Sequence, residues 1–156
     1  MSAAAHWSSS RDARPRFRLT APPAPLEVDL QAACAHALDR LLLPPAFWFA
    51  MPVGHIELSG AQMARLTKIG LKRGLPDIWI LCGRVYCVEL KRRGGSLSRT
   101  RVGRTRRGSP RIYEGQTDVF PRLLETGAVE AIAVCTSVDE MLAQLRQWNI
   151  PLRAFI

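Results

Sequence analysis

Two short apolar runs joined by one turn constrain this chain more than anything else in it. Ile78-Trp79-Ile80-Leu81 and Val85-Tyr86-Cys87-Val88-Glu89-Leu90 are rich in β-branched and aromatic residues, and Cys82-Gly83-Arg84 lies between them. That pattern predicts a β-hairpin. Asp77 stands before the first run, while Glu89 and Lys91 close the second. Strand side chains alternate, so Glu89 and Lys91 share a face. Register decides where Asp77 goes. Pairing Leu81 with Val85 sets Asp77 opposite Glu89, whereas a tight Gly83-Arg84 turn sets it opposite Leu90, on the other face. A joint site for the three residues therefore demands the odd register or a compensating bulge.

The rest of the chain reads as an α/β order around that hairpin. Residues 1–25 are rich in Ala, Ser, Arg and Pro and read as a flexible basic arm, with a folded domain over residues 26–156. Residues 26–43 carry apolar side chains at 30, 34, 37, 38 and 41, a helical face stopped by Pro44-Pro45. Residues 46–56, with Phe47-Trp48-Phe49, read as a first strand, and residues 59–69 as a short basic helix ended by Gly70. Residues 91–111 have no apolar periodicity and read as a loop. Residues 112–125 read as a helix containing Pro121 and ended by Gly127, followed by a buried strand at 129–135. Ser137 to Glu140 form a capping box that opens a last helix to about Trp148, and a short strand is expected at 152–155. The order predicts one α/β domain with a mixed sheet flanked by helices.

If Asp77, Glu89 and Lys91 converge, their chemistry follows from charge. Two ionised carboxylates close together repel unless a cation lies between them. Hard oxygen ligands without a Cys or His pair select Mg²⁺ or Mn²⁺ over zinc. Such an ion lowers the pKa of a bound water and stabilises charge on a phosphate oxygen, and a lysine beside it holds the attacking water. Cys34, Cys82, Cys87 and Cys135 form no zinc pattern and read as buried thiols of a reducing, cytoplasmic or nucleoid-associated protein. The absence of an 18-residue apolar run argues against a membrane span.

Charge points to the partner. Twenty-two Lys and Arg against 13 Asp and Glu give a net charge of +9, which favours a polyanion. Nine of those cations (Lys91, Arg92, Arg93, Arg99, Arg101, Arg104, Arg106, Arg107 and Arg111) fall between 91 and 111, with no acid among them. If about six met phosphates, affinity for DNA would drop on the order of a thousandfold between about 50 and 200 mM salt.

Gly70, Gly74-x-Pro76-Asp77, Val88-Glu89-Leu90-Lys91, Gln116 and Gly127 together resemble the VRR-NUC family, the virus-type replication-repair nuclease branch of the PD-(D/E)XK superfamily. The similarity covers about residues 26–150. It implies a restriction-endonuclease-like core, divalent-metal-dependent phosphodiester cleavage and, for small stand-alone members, homodimers acting on branched or flapped DNA in repair or recombination. Asp77, Glu89 and Lys91 match the family's metal-binding acids and lysine, and Gln116 its glutamine on the following helix. Glu27 resembles an acidic residue of the first helix that assists the metal, with Asp29 competing for that role. The departure is the linker after Lys91, which is long and arginine-rich here where the family has a short, serine-containing one. His55 is a further candidate for a metal or phosphate contact, although a lone histidine is more often structural.

Three functions remain open at this stage: a structure-selective nuclease (four-way junction, flap or nick), a DNA-binding or assembly module on the same fold, and a sequence-specific restriction enzyme. Clustered acids beside a phosphate path are of no use to a pure binder. Recognition elements for the third cannot be found in so short a chain. A homodimer suits a junction cutter, which acts on two symmetric strands.

Overall fold

Gly83, at φ +66°, turns the chain between the two central strands, a backbone conformation that glycine adopts without steric cost. The structure is a computed structural model that describes residues 26–51, 58–104 and 108–154. In chain order the elements are α1 (Glu27–Leu41), β1 (Phe47–Ala50), α2 (Gly60–Lys68), β2 (Ile78–Cys82), β3 (Arg84–Leu90), β4 (Arg101–Arg104), β5 (Pro110–Tyr113), α3 (Gln116–Glu125), β6 (Val129–Cys135) and α4 (Val138–Gln147). Ile78 pairs with Val88 and Leu81 with Val85. This is the odd register, and continuing it by one residue places Asp77 opposite Glu89.

The main sheet has the order β1-β2-β3-β6, antiparallel except for the parallel β3–β6 pair. The mixed sheet flanked by helices is therefore present. Alternation divides its two faces. Ile78, Ile80, Val88 and Leu90 point to one side, where they pack with Leu30, Cys34 and Leu38 of α1 and Met141, Leu142 and Leu145 of α4. Asp77, Trp79, Cys87, Glu89 and Lys91 point to the other, toward the start of α3. The aromatic segment splits the same way. Trp48 and Trp148 join the core, whereas Phe47 remains 62% exposed and Phe49 stacks on Trp79.

Several boundaries differ from expectation. The segment after Lys91 is not a plain loop: β4 and β5 form a separate two-stranded sheet. Ile112 and Tyr113 belong to β5, and the helix expected from 112 begins only at Gln116. Ile and Tyr favour strands, and Gly115 interrupts any helical run. Pro121 lies within α3 on its exposed side. At α4 the box is half formed: Ser137 Oγ accepts from Glu140 N at 3.1 Å, but the Glu140 carboxylate accepts from Thr136 N instead of Ser137 N. A complete capping box stands at α2, between Ser59 and Gln62. The expected terminal strand is a single bridge from Leu152 to Leu42, and Phe155 lies outside the described residues. So do residues 1–25 and 52–57, which include the arm, His55 and the far part of the expected first strand.

All four cysteines are free, and burial pushes the Cys34 and Cys87 thiols up to about 12. Among the described residues, no helix is long and apolar enough to cross a membrane.

Leu38 is fully buried between α1, α4 and the sheet, and Leu26 is 58% exposed. Leu38→Ala is expected to cost about 2–5 kcal/mol of unfolding free energy in a urea titration, and Leu26→Ala less than about 0.5 kcal/mol.

Candidate active site

Glu89 is the penultimate residue of β3, the strand that β2 and β6 flank on both sides. Its side chain is 1% exposed. Oε1 accepts a hydrogen bond from Lys91 Nζ at 2.6 Å and another from Gln116 Nε2. Oε2 is equally buried and has no hydrogen-bond partner among the described residues. A buried carboxylate oxygen left in that condition is costly, because nothing replaces the water it has lost. Burial, and after it the negative charge of Asp77, push the Glu89 carboxyl up to about 7, against the opposite pull of Lys91 and Gln116.

Each neighbour is held in turn. Asp77 Oδ2 accepts from the backbone N–H of Leu90 at 2.8 Å, and its carbonyl accepts from Met51 N at 2.7 Å, so the residue is tied to β3 and to the end of β1. Lys91 continues the β3 ladder through its N–H to Cys135 O at 2.9 Å, and its side chain is only 15% exposed. Gln116 is oriented by Ser98, whose N–H donates to Gln116 Oε1 at 3.0 Å. With the amide oxygen so occupied, the amide N–H₂ is left to face Glu89. Ser98 Oγ also accepts from Gln116 N, and Thr100 Oγ from Gly115 N, which moors the segment after Lys91 to the first turn of α3. Gly115 makes this crossing possible: a Cβ there would collide with the backbone of Ser98 and Arg99. Gly74, at φ +75°, packs against the same turn.

These residues open onto a cavity of about 530 Å³. Asp77, Glu89, Lys91 and Gln116 all line it. Glu27 lines it too, accepting from Arg92 N at 3.4 Å, whereas Asp29 is exposed and outside it. Among the described residues no three His, Cys, Asp or Glu form a group that could hold a metal ion. Glu27 is thus part of the wall of the cavity that Asp77 and Glu89 share. Of the arginines expected to meet DNA, Arg99 and Arg101 reach the cavity, Arg92, Arg93, Arg104 and Arg111 are exposed, and Arg106 and Arg107 lie outside the described residues. Arg73, Ser98 and Tyr113 were not foreseen. No spacing marks them.

The donor set fits a divalent cation. Two carboxylates on one sheet face, one with a buried oxygen that has no hydrogen-bond partner among the described residues, are hard ligands of the kind that Mg²⁺ or Mn²⁺ takes, and Mg²⁺ commonly uses one or two carboxylates with water and substrate oxygens completing its shell. Comparison with models of protein families, with curated proteins and with solved structures found no match.

The raised Glu89 pKa sets a sign for stability without metal. The folded state keeps the proton that the unfolded chain loses near 4.5, so this stabilisation is full below about pH 4.5 and is lost as pH rises through about 7. Glu89→Gln, which stays neutral, is expected to flatten that decline by an amount on the order of a few kcal/mol, read from urea unfolding across this range in EDTA.

Proposed function

We propose that the protein is a divalent-metal-dependent DNA endonuclease of the PD-(D/E)XK type, built on a restriction-endonuclease-like core of the VRR-NUC kind. The observation that carries this reading is the buried Glu89 carboxylate, with Asp77 on the same face, Lys91 bonded to one oxygen and the other oxygen without a hydrogen-bond partner among the described residues. The mixed sheet with its acids at one strand end, the motif resemblance and the basic segment beside the cavity support the same reading.

A Mg²⁺ or Mn²⁺ ion held by Asp77 and Glu89 would supply a water of lowered pKa and a counter-charge for the phosphate. Lys91 spends one of its three N–H donors on Glu89 and keeps the others for a water or a phosphate oxygen. Its positive charge favours the developing negative charge on phosphorus-bound oxygens as water attacks and one P–O ester bond breaks. Gln116, fixed by Ser98, holds the Glu89 carboxylate in place. Arg99 and Arg101, on the rim, offer contacts to the flanking phosphates. The substrate proposed is branched or flapped DNA, cut by a homodimer in a repair or recombination setting.

The test is cleavage of labelled linear duplex, flap and four-way-junction DNA with Mg²⁺, Mn²⁺ or EDTA. Metal-dependent cutting is expected, strongest on a branched substrate. Lys91→Ala should lower the rate about 10²–10³-fold and Gln116→Ala about 10–100-fold. Asp77→Ala should abolish cutting while binding persists. Salt-sensitive binding without cutting under any metal would make the protein a binding module instead.

A further inference from the structure

The β4–β5 hairpin carries a second cluster that hydrolysis does not require. Tyr113 pairs with Arg101 across this hairpin, and its ring lies over Gly103. A Cβ at position 103 would stand 2.6 Å from Tyr113 Cε2, so the glycine makes the seat for the ring. Three guanidinium groups surround that ring: Arg73 from the segment before β2, Arg101 from β4 and Arg111 from β5. Each has its central carbon 5.5 Å from the ring centre. No two of these charges are farther apart than twice that distance, which is comparable with the screening length at physiological salt, so they repel one another.

Among the described residues none of the three arginines is in an ion pair. Glu114, the next residue in the chain, is engaged by Arg122 of α3 at 2.5 Å. The ion pairs among the described residues are this one and Lys91–Glu89, and neither involves the three arginines. Like charges gathered without an ion-pair partner among the described residues favour an anion with more than one negative group. Arg73, Arg101 and Tyr113 also line the cavity that holds Asp77, Glu89 and Lys91. The cluster is therefore next to the proposed hydrolytic centre.

We propose that this cluster is a subsite for an unpaired nucleotide next to the scissile phosphate, with Arg73, Arg101 and Arg111 taking backbone phosphates and Tyr113 stacking on the base. The proposal rests on the nuclease reading in taking the cavity as the path of a DNA strand. Arginines alone would serve any phosphate backbone, paired or not. The ring is what distinguishes the two, because a base inside a duplex has no free face to offer, whereas an unpaired base stacks on an aromatic or guanidinium plane. Stacking tolerates any base, so the subsite reads the absence of pairing and not the sequence. It gives the protein a physical means of preferring flaps and junctions over continuous duplex.

The test measures binding of the full chain, in EDTA, to labelled oligodeoxythymidylate and to a duplex of equal length by fluorescence anisotropy. Tyr113→Ala is expected to weaken single-strand binding about 5–100-fold and duplex binding less than about twofold. Tyr113→Phe should bind as the parent does. Tyr113→Leu keeps an apolar side chain over Gly103 and should lose single-strand binding like the alanine variant, which separates stacking from packing. Arg101→Ala should reduce the salt slope for the single strand by about 0.7. Equal losses on both DNAs, no loss on either, or a leucine variant that binds as well as the parent would overturn the subsite. Because no cutting is needed, tyrosine-dependent single-strand binding in a chain that never cleaves would defeat the nuclease reading alone. Cleavage indifferent to Tyr113 would defeat the subsite alone.

Discussion

The energetic centre of this molecule is a carboxylate taken out of water. Glu89 is on the central strand of the sheet, closed in by α3 and by the segment that follows Lys91. One oxygen has a lysine and an amide for company, and the other has no hydrogen-bond partner among the described residues. Partial compensation by Lys91 does not offset burial and the charge of Asp77, and so the carboxyl holds its proton toward neutral pH. A cation relieves both penalties at once, by pairing the orphaned oxygen and by screening one acid from the other. The arrangement is poorly suited to stability alone, and capture of a divalent ion is the role proposed for it.

The surrounding structure keeps that carboxylate where it is. The odd hairpin register brings Asp77 to the Glu89 face, and the Leu90 N–H fixes its carboxylate. Ser98 and Thr100 tie the basic segment to α3, and Ser98 N–H holds the Gln116 amide oxygen while its amide nitrogen donates to Glu89. Gly115 admits the close crossing. Floor and rim of the cavity are thereby linked: the acids that would hold a cation and the arginines that would hold a strand depend on the same few hydrogen bonds.

How much of this the sequence disclosed follows from what periodicity can encode. The central strands are apolar and β-branched, and Glu-x-Lys must share a face on any strand, so the hairpin and the candidate pair were legible; register stayed open between two values until the Leu81–Val85 pairing was seen. Glu27 and Asp29 were indistinguishable by spacing, and packing of α1 turned Glu27 to the cavity. The β4–β5 hairpin left no apolar signal, because its only large aliphatic pair, Val102 and Ile112, is 73% and 67% exposed. It is held by cross-strand pairing and by Tyr113 among arginines, and Arg73 joins from a distant part of the chain, where no local pattern reveals it. Gln116 became legible only through resemblance, and its anchor Ser98 only through geometry.

The account depends most on Glu89 acting as a ligand. Titration of the DNA-free protein with Mn²⁺ near pH 8, followed by electron paramagnetic resonance of the free ion, tests this directly against Glu89→Gln, which keeps the shape and removes the charge. Saturable binding by the parent chain, weakened at least about tenfold in a folded Glu89→Gln variant, is the predicted result. Equal Mn²⁺ binding by both proteins, or none by the parent at millimolar ion, would contradict it.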